Sequence, residues 1–168
     1  MVSNIRVGTG FDVHAFEAGR TLRLGGVDVP HGRGLAGDSD ADVLTHAVMD
    51  ALLGAAALGD LGTHFPPGDP RFKDARSTDL LGTTATMVRE RGWDICNVDA
   101  TVIAQEPRLG PHIPRMRQVL ADAIGIPEAA VSVKATTPDH LGAIGRAEGI
   151  AAQAVALLER TTHIQGWH

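Results

Sequence analysis

Polar and apolar positions along the chain follow two periods. Residues 4–11 alternate through Ile5 and Val7 and read as a strand entering a glycine-softened turn. Residues 21–29 are two short alternating runs hinged on Gly25-Gly26, a hairpin ended by Pro30, and a glycine-rich acidic loop follows at 32–38. Residues 39–58 carry the strongest helical pattern, with Ser39 and Asp42 spaced as a capping box and Gly59-Asp60-Leu61-Gly62 as the stop. Residues 63–70 hold three prolines and a glycine and are expected to be irregular. A second helix is expected over 77–91, with Leu80, Leu81, Thr84 and Val88 on its apolar side and Gly92 as its stop. Residues 93–104 return to period two in β-branched residues, and Pro107 and Pro111 bracket a loop. A third helix over 113–124 has Pro114 in its first turn, where a missing N–H does no harm. Residues 130–135 form a further strand running into Thr136-Thr137-Pro138, and a glycine-punctuated loop spans 142–149. By propensity alone, the alanine-rich stretch 150–158 is helix, and 162–168 is a loosely held tail.

These elements make one α/β domain, which suits 168 residues. Hydrophobic residues at 43% can fill a core, and aromatics at 4% with no tyrosine make that core aliphatic. The net charge of −5, with no basic block, argues against nucleic acid or an anionic membrane as partner, while a phosphorylated ligand remains open. Cys96 is the one cysteine, which rules out a disulfide framework and a Cys-rich zinc site; in its apolar strand pattern it reads as a buried small hydrophobe. Residues 1–7 lack the apolar core of a signal peptide, and the run 47–58 is too short to span a bilayer, so a cytoplasmic location is expected.

Three constellations could carry chemistry. In Asp12-Val13-His14, an extended backbone points both outer side chains the same way, giving two of the three protein ligands of an open zinc site. His46 is the candidate third: at 100° per residue it stacks with Asp42 and Asp50 on a polar stripe opposite Leu44, Val48, Leu52 and Ala55. The same residues also read as a chance pair and a solvated helix face. Asp60 and Gly62, with the stiff Phe65-Pro66-Pro67, suit either a polyol hydroxyl or an ordinary helix cap followed by a rigid loop. Thr136, Thr137 and Asp139, with Arg146 nearby, suit either phosphate oxygens and a hard cation or a hydroxyl-stabilised turn.

The stretches GTGFDVHAF, SDADVLTHAVMDALLGAAALGDLGTHFP, NVDATVIAQEPRLGPHIPRM and VKATTPDHLGAIGRAEGIAA appear together in this order, covering about residues 5–158. Together they resemble the 2-C-methyl-D-erythritol 2,4-cyclodiphosphate synthases of the non-mevalonate isoprenoid pathway. The resemblance implies Zn²⁺, with Mn²⁺ or another divalent ion as alternatives, on Asp12, His14 and His46. It implies substrate contacts at Ser39, Asp60, Gly62 and the loop from Phe65 to Asp69. Nucleotide and diphosphate contacts fall on the span 104–110, with Ala104, Arg108, Leu109 and Gly110 foremost, on Thr136, Thr137 and Asp139, and on Arg146. Thr137 would position the phosphates, and Asp139 would hold Mg²⁺ or Mn²⁺ with the diphosphate. Asp38 stands where many relatives carry His, Asp139 where they often carry Glu, and Pro67 where some carry Asp; the first departure bears on affinity, not on reaction type.

The implied reaction is intramolecular. The 2-phosphate of 4-diphosphocytidyl-2-C-methyl-D-erythritol 2-phosphate attacks the β-phosphorus, CMP leaves and a cyclic diphosphate closes, with no general base required. The implied architecture is a chorismate-mutase-like α/β (α+β) domain over residues 1–160, followed by a tail at 161–168. It has a mixed four-stranded sheet, helices on one face and a small hairpin, and assembles as a homotrimer with sites between neighbours. The resemblance turns 150–158 into a strand, expected to pair with 130–135. A zinc phosphohydrolase and a non-catalytic trimeric ligand-binding protein are the rival readings.

Overall fold

The computed structural model describes residues 4–161, so the expected tail at 162–168 lies outside the described residues. Among them, five strands form one sheet in the order β4-β1-β7-β5-β6, from β1 (Ile5–Ala18), β4 (Arg33–Leu35), β5 (Trp93–Ile103), β6 (Val131–Thr136) and β7 (Gly149–Arg160). A separate hairpin pairs β2 (Leu22–Leu24) with β3 (Val27–Val29). The sheet is mixed: β5 and β6 run parallel, joined through the crossover helix α4 (Ile113–Ile124), while β1, β4 and β7 add antiparallel pairs. The expected mixed α/β fold with helices packed on the sheet stands, with β4 as a short addition at the edge.

The residue stretch 150–158 is a strand, but its partners correct the sequence reading: β7 pairs with β1 and β5, and among the described residues β6 pairs with β5 alone. Alanine's helical propensity yields here to tertiary packing. Ala152, Ala154 and Ala156 are fully buried on the face covered by α1 (Val43–Ala55). They line up with Gly8, Gly10 and Asp12 of β1, at the pairs Gly8↔Ala156, Gly10↔Ala154 and Asp12↔Ala152. A Cβ at Gly10 would come within 1.9 Å of Ala47 O, and one at Gly8 within 2.1 Å of Ala51 O. The helix therefore rests on a seam of glycine and alanine, closer than any larger side chain permits.

Helix α1 is shorter than its sequence pattern. Ala41 adopts φ +53 and blocks helix before it, so Asp42 and not Ser39 is the cap. The buried Asp42 carboxylate accepts from Thr45 N and Oγ1 and from the hairpin amides of Gly25 and Gly26, at 2.6–3.0 Å. The cap thus ties the hairpin to the helix. Ala57, at φ +56, ends regular helix ahead of Leu58. Most of the expected polar stripe does not face solvent: Asp42 and His46 are buried, with Thr45 beside them, because sheet and neighbouring helices cover that side of α1 as well, and only Asp50 is half-exposed. Asp50 accepts from Leu61 N at 2.7 Å, anchoring the single turn α2 (Leu61–His64), which runs from the expected helix stop into the segment expected to be irregular. Helices α3 (Ser77–Glu90) and α4 complete the covering layer, and α5 (Gly142–Gly145) is one turn in the expected loop. Cys96 is only partly buried, because a register shift between Ile95 and Asn97 breaks the alternation there.

The other face of the sheet carries Val7, Phe11 and Val13, each more than half exposed, beside Val155. No helix among the described residues is long and apolar enough to cross a membrane.

Candidate active site and metal centre

Strand alternation places Asp12 and His14 on the face of β1 that α1 covers. They lie past the last glycine of the seam, where the helix begins. His46 precedes Ala47, the residue whose carbonyl packs on Gly10, so the seam that fixes α1 also fixes His46. The three side chains converge. Asp12 Oδ2 lies 2.9 Å from His14 Nε2 and 3.0 Å from His46 Nδ1, and the two nitrogens are 3.3 Å apart. One ligand atom from each residue fits within 4.8 Å of the others.

The atoms facing away from this point are also engaged. Asp12 Oδ1 accepts from Val13 N at 2.9 Å, and His14 Nδ1 faces the Ala36 carbonyl at 2.5 Å. His46 Nε2 meets Ser77 Oγ at 2.9 Å. Burial pushes Asp12 up, yet hydrogen bonds and charge from His14 and His46 outweigh it and hold the carboxyl well below the usual range. Burial pushes His14 down, but Asp12 and the Ala36 carbonyl outweigh that and raise it. The cluster thus draws positive charge toward one point. Two imidazoles and a carboxylate, each oriented from behind, are the donor set of an open divalent-metal site, and the residues fit such an ion.

A cleft of about 510 Å³ opens over this point, with Ser39, Phe65 and Asp69 in its lining, beside Asp38, Gly37 and the Pro66-Pro67-Gly68 loop. Asp38 Oδ2 accepts from Gly68 N at 3.0 Å and so ties that loop to the segment before α1. Asp60 and Gly62 sit outside the lining: Asp60 caps α2 by accepting from Thr63 N and Oγ1, both at 2.8 Å.

The remaining sequence candidates gather elsewhere. Thr136 ends β6, its carbonyl accepting from Ala104 N at 3.0 Å. Thr137 Oγ1 donates to Gln105 Oε1 at 3.2 Å, and the same oxygen accepts from His140 N at 2.9 Å. Asp139, at φ +50, donates its backbone N–H to Thr137 Oγ1 and leaves its carboxylate exposed. Arg108 and Gly110 are exposed around a buried Leu109, and Arg146 pairs with Glu148 at 2.7 Å. The register Val13↔Ala151↔Ile103↔Thr136 puts both groups at one end of the sheet. Three strand spacings of ~4.8 Å separate β1 from β6, about 14 Å in all. None of the second group lines the cleft over His46. Gln105 falls inside the expected contact span 104–110, whereas sequence reasoning missed Ser77 and Asp40, and no spacing rule connects those two to their partners.

The YgbB family model matches residues 5–159. The chain belongs to that family. Among curated relatives, the 2-C-methyl-D-erythritol 2,4-cyclodiphosphate synthase of Syntrophomonas wolfei is 56% identical over 93% of this chain and 99% of its own length. Of solved structures, the bifunctional IspDF of Campylobacter jejuni matches at TM-score 0.90 and 43% identity, over 93% of this chain and 42% of that one. The CDP complex of IspF from Plasmodium falciparum matches at TM-score 0.85 and 31% identity, over 96% and 100%. Family membership makes the chain an enzyme with the cyclodiphosphate synthase fold.

Proposed function

We propose that the chain converts 4-diphosphocytidyl-2-C-methyl-D-erythritol 2-phosphate to 2-C-methyl-D-erythritol 2,4-cyclodiphosphate and CMP, as one catalytic domain over residues 1–160 in the cytoplasm. The observation that carries this reading is the convergence of Asp12, His14 and His46 on a cleft, in a chain of this family.

The barrier combines repulsion between two anionic phosphates with the entropy of closing a ring. Ring-closure entropy is a term that good orientation can lower by up to ~7–11 kcal/mol. Asp12, His14 and His46 would hold Zn²⁺. When bound, that ion supplies Lewis-acid polarisation of the β-phosphate. The cleft wall formed by Ser39, Phe65 and Asp69 would hold the methylerythritol portion folded, so that a 2-phosphate oxygen lies in line with the β-phosphorus. That oxygen forms the new P–O bond as the bond to CMP breaks, and the leaving electrons stay on the CMP phosphate. Thr136, Thr137 and Arg146, with Ala104, Arg108, Leu109 and Gly110, would hold the cytidine diphosphate portion, and Asp139 would carry Mg²⁺ or Mn²⁺ against it. Asp60 and Gly62, outside the cleft in one chain, would reach substrate from its rim.

The strands that carry Asp12 and His14 on one side and Thr136 on the other, β1 and β6, stand about 14 Å apart by three ~4.8 Å strand spacings, which favours sites completed between subunits of a homotrimer. The exposed apolar face at Val7, Phe11, Val13 and Val155 is the surface such an assembly would bury. Product analysis by mass spectrometry in heavy-oxygen water tests the reaction. Cyclisation yields CMP and a cyclic diphosphate with no solvent oxygen, whereas a zinc phosphohydrolase yields open-chain products that carry it. A non-catalytic binder yields neither.

A further inference from the structure

Behind His46, on the side away from Asp12 and His14, stand Ser77 and Asp40. Ser77 has one hydroxyl proton, and Asp40 Oδ1 receives it in a short hydrogen bond. The other carboxylate oxygen accepts the Ser77 backbone N–H at 3.1 Å. A carboxylate has no proton to return, so Ser77 Oγ meets His46 Nε2 at 2.9 Å with lone pairs only. Nε2 is therefore the ring nitrogen that carries hydrogen. Nδ1, 3.0 Å from Asp12 Oδ2, is the one turned toward the ligand cluster. Ser39 Oγ, 3.4 Å from Nε2, lies at the outer edge of hydrogen-bond reach and already accepts from Ala41 N at 3.2 Å.

Asp40 is itself held in place. Its side chain is 8% exposed, and Arg23 Nη1 lies 3.6 Å from Oδ2. The relay spans three elements: the loop before α1, the first residue of α3, and α1 itself. His14 is oriented differently, by the backbone carbonyl of Ala36, which no side-chain change removes.

We propose that Asp40 and Ser77 are positioning residues that fix the tautomer and ring orientation of His46, presenting Nδ1 as a ligand for a divalent cation. This deepens, and rests on, the metal reading of Asp12, His14 and His46. Outer partners of metal-bound histidines keep ligand geometry, and their loss typically weakens metal affinity about 10–100-fold.

The test titrates metal-free wild type, Ser77→Ala and Asp40→Asn with Zn²⁺ against a competing chelator, without substrate. Ser77→Ala removes the hydroxyl but leaves its backbone N–H on Asp40, so α3 keeps its start; Asp40→Asn preserves shape should the alanine variant fail to fold. The zinc dissociation constant is expected to rise about 10–100-fold in Ser77→Ala, and in the same direction in Asp40→Asn, with the melting temperature of the metal-free protein nearly unchanged. In zinc-loaded, isotope-labelled protein, the His46 Nε2 proton should exchange slowly in wild type and faster in both variants. A lowered melting temperature with wild-type zinc affinity and wild-type proton exchange marks a merely structural pair and overturns the proposal, leaving the metal site intact. Failure of wild type itself to bind stoichiometric zinc removes the site and, with it, the proposal.

Discussion

A methyl group at Gly10 would be placed 1.9 Å from the Ala47 carbonyl oxygen and 2.7 Å from Ala51 N, both backbone atoms of α1. Ordinary contact begins near 3.4 Å, so relief requires the helix to lift by about 1.5 Å (3.4 − 1.9). His46 is the residue before Ala47 and would move with it, whereas Asp12 and His14 belong to the strand. Metal–ligand distances tolerate only about ±0.2 Å, so a displacement of this size takes His46 out of the ligand set. Overpacking of this kind costs about 1–3 kcal/mol of stability. Gly10→Ala is therefore expected to lose both denaturant stability and zinc affinity, read by urea unfolding and by equilibrium dialysis of zinc. Gly54→Ala is the internal comparison, since its nearest neighbour is Thr9 O at 3.8 Å and it lies on the exposed side of α1. That variant should keep zinc and gain up to about 1 kcal/mol from helical propensity. Wild-type zinc affinity in Gly10→Ala would refute the claim that the glycine seam sets the position of His46.

Other consequences follow from the same geometry. In the proposed trimer, wild type should sediment at three times 17.6 kDa and Phe11→Asp, which puts charge into the exposed sheet face, at one chain; an unchanged trimer in the variant would place the interface elsewhere. Asp139→Ala should weaken the Mg²⁺ dependence of turnover while leaving zinc content intact, and equal loss of both metals would contradict separate sites. The metal-free protein should show two pH windows. His14, raised above 6.5, contributes stability that is full below that value and fades as pH rises through its folded-state pKa. Asp12, held low, contributes stability present above about 3.8 that is lost on acidification. Urea titrations across pH on wild type and His14→Gln should diverge least at alkaline pH, and a constant difference would remove the Asp12–His14 coupling.

Much of this was legible in the sequence, for reasons that differ by residue. Asp12 and His14 follow from strand alternation, which survives burial, and Val13 duly faces the opposite side. His46 was identifiable as a residue type at helical spacing, but its surroundings were not. A polar stripe usually marks solvent, and here it marks buried partners: hairpin amides for Asp42, Ser77 for His46, and Leu61 N for Asp50. Ser39 and Asp42 are both good caps, and only the left-handed turn at Ala41 chooses between them. The alanine-rich β7 could not be read locally, because its conformation is imposed by β1 and β5 on either side and by α1 above. Asp40 and Ser77 lie 37 residues apart and meet only through the fold.

The most direct measurement pairs elemental zinc with CMP release in wild type and His46→Ala. The account predicts one tightly held zinc per wild-type chain together with CMP formation, and loss of both in the variant with the oligomer intact. Turnover at the wild-type rate in His46→Ala, or wild-type protein that cyclises substrate with no divalent ion at Asp12, His14 and His46, would contradict it.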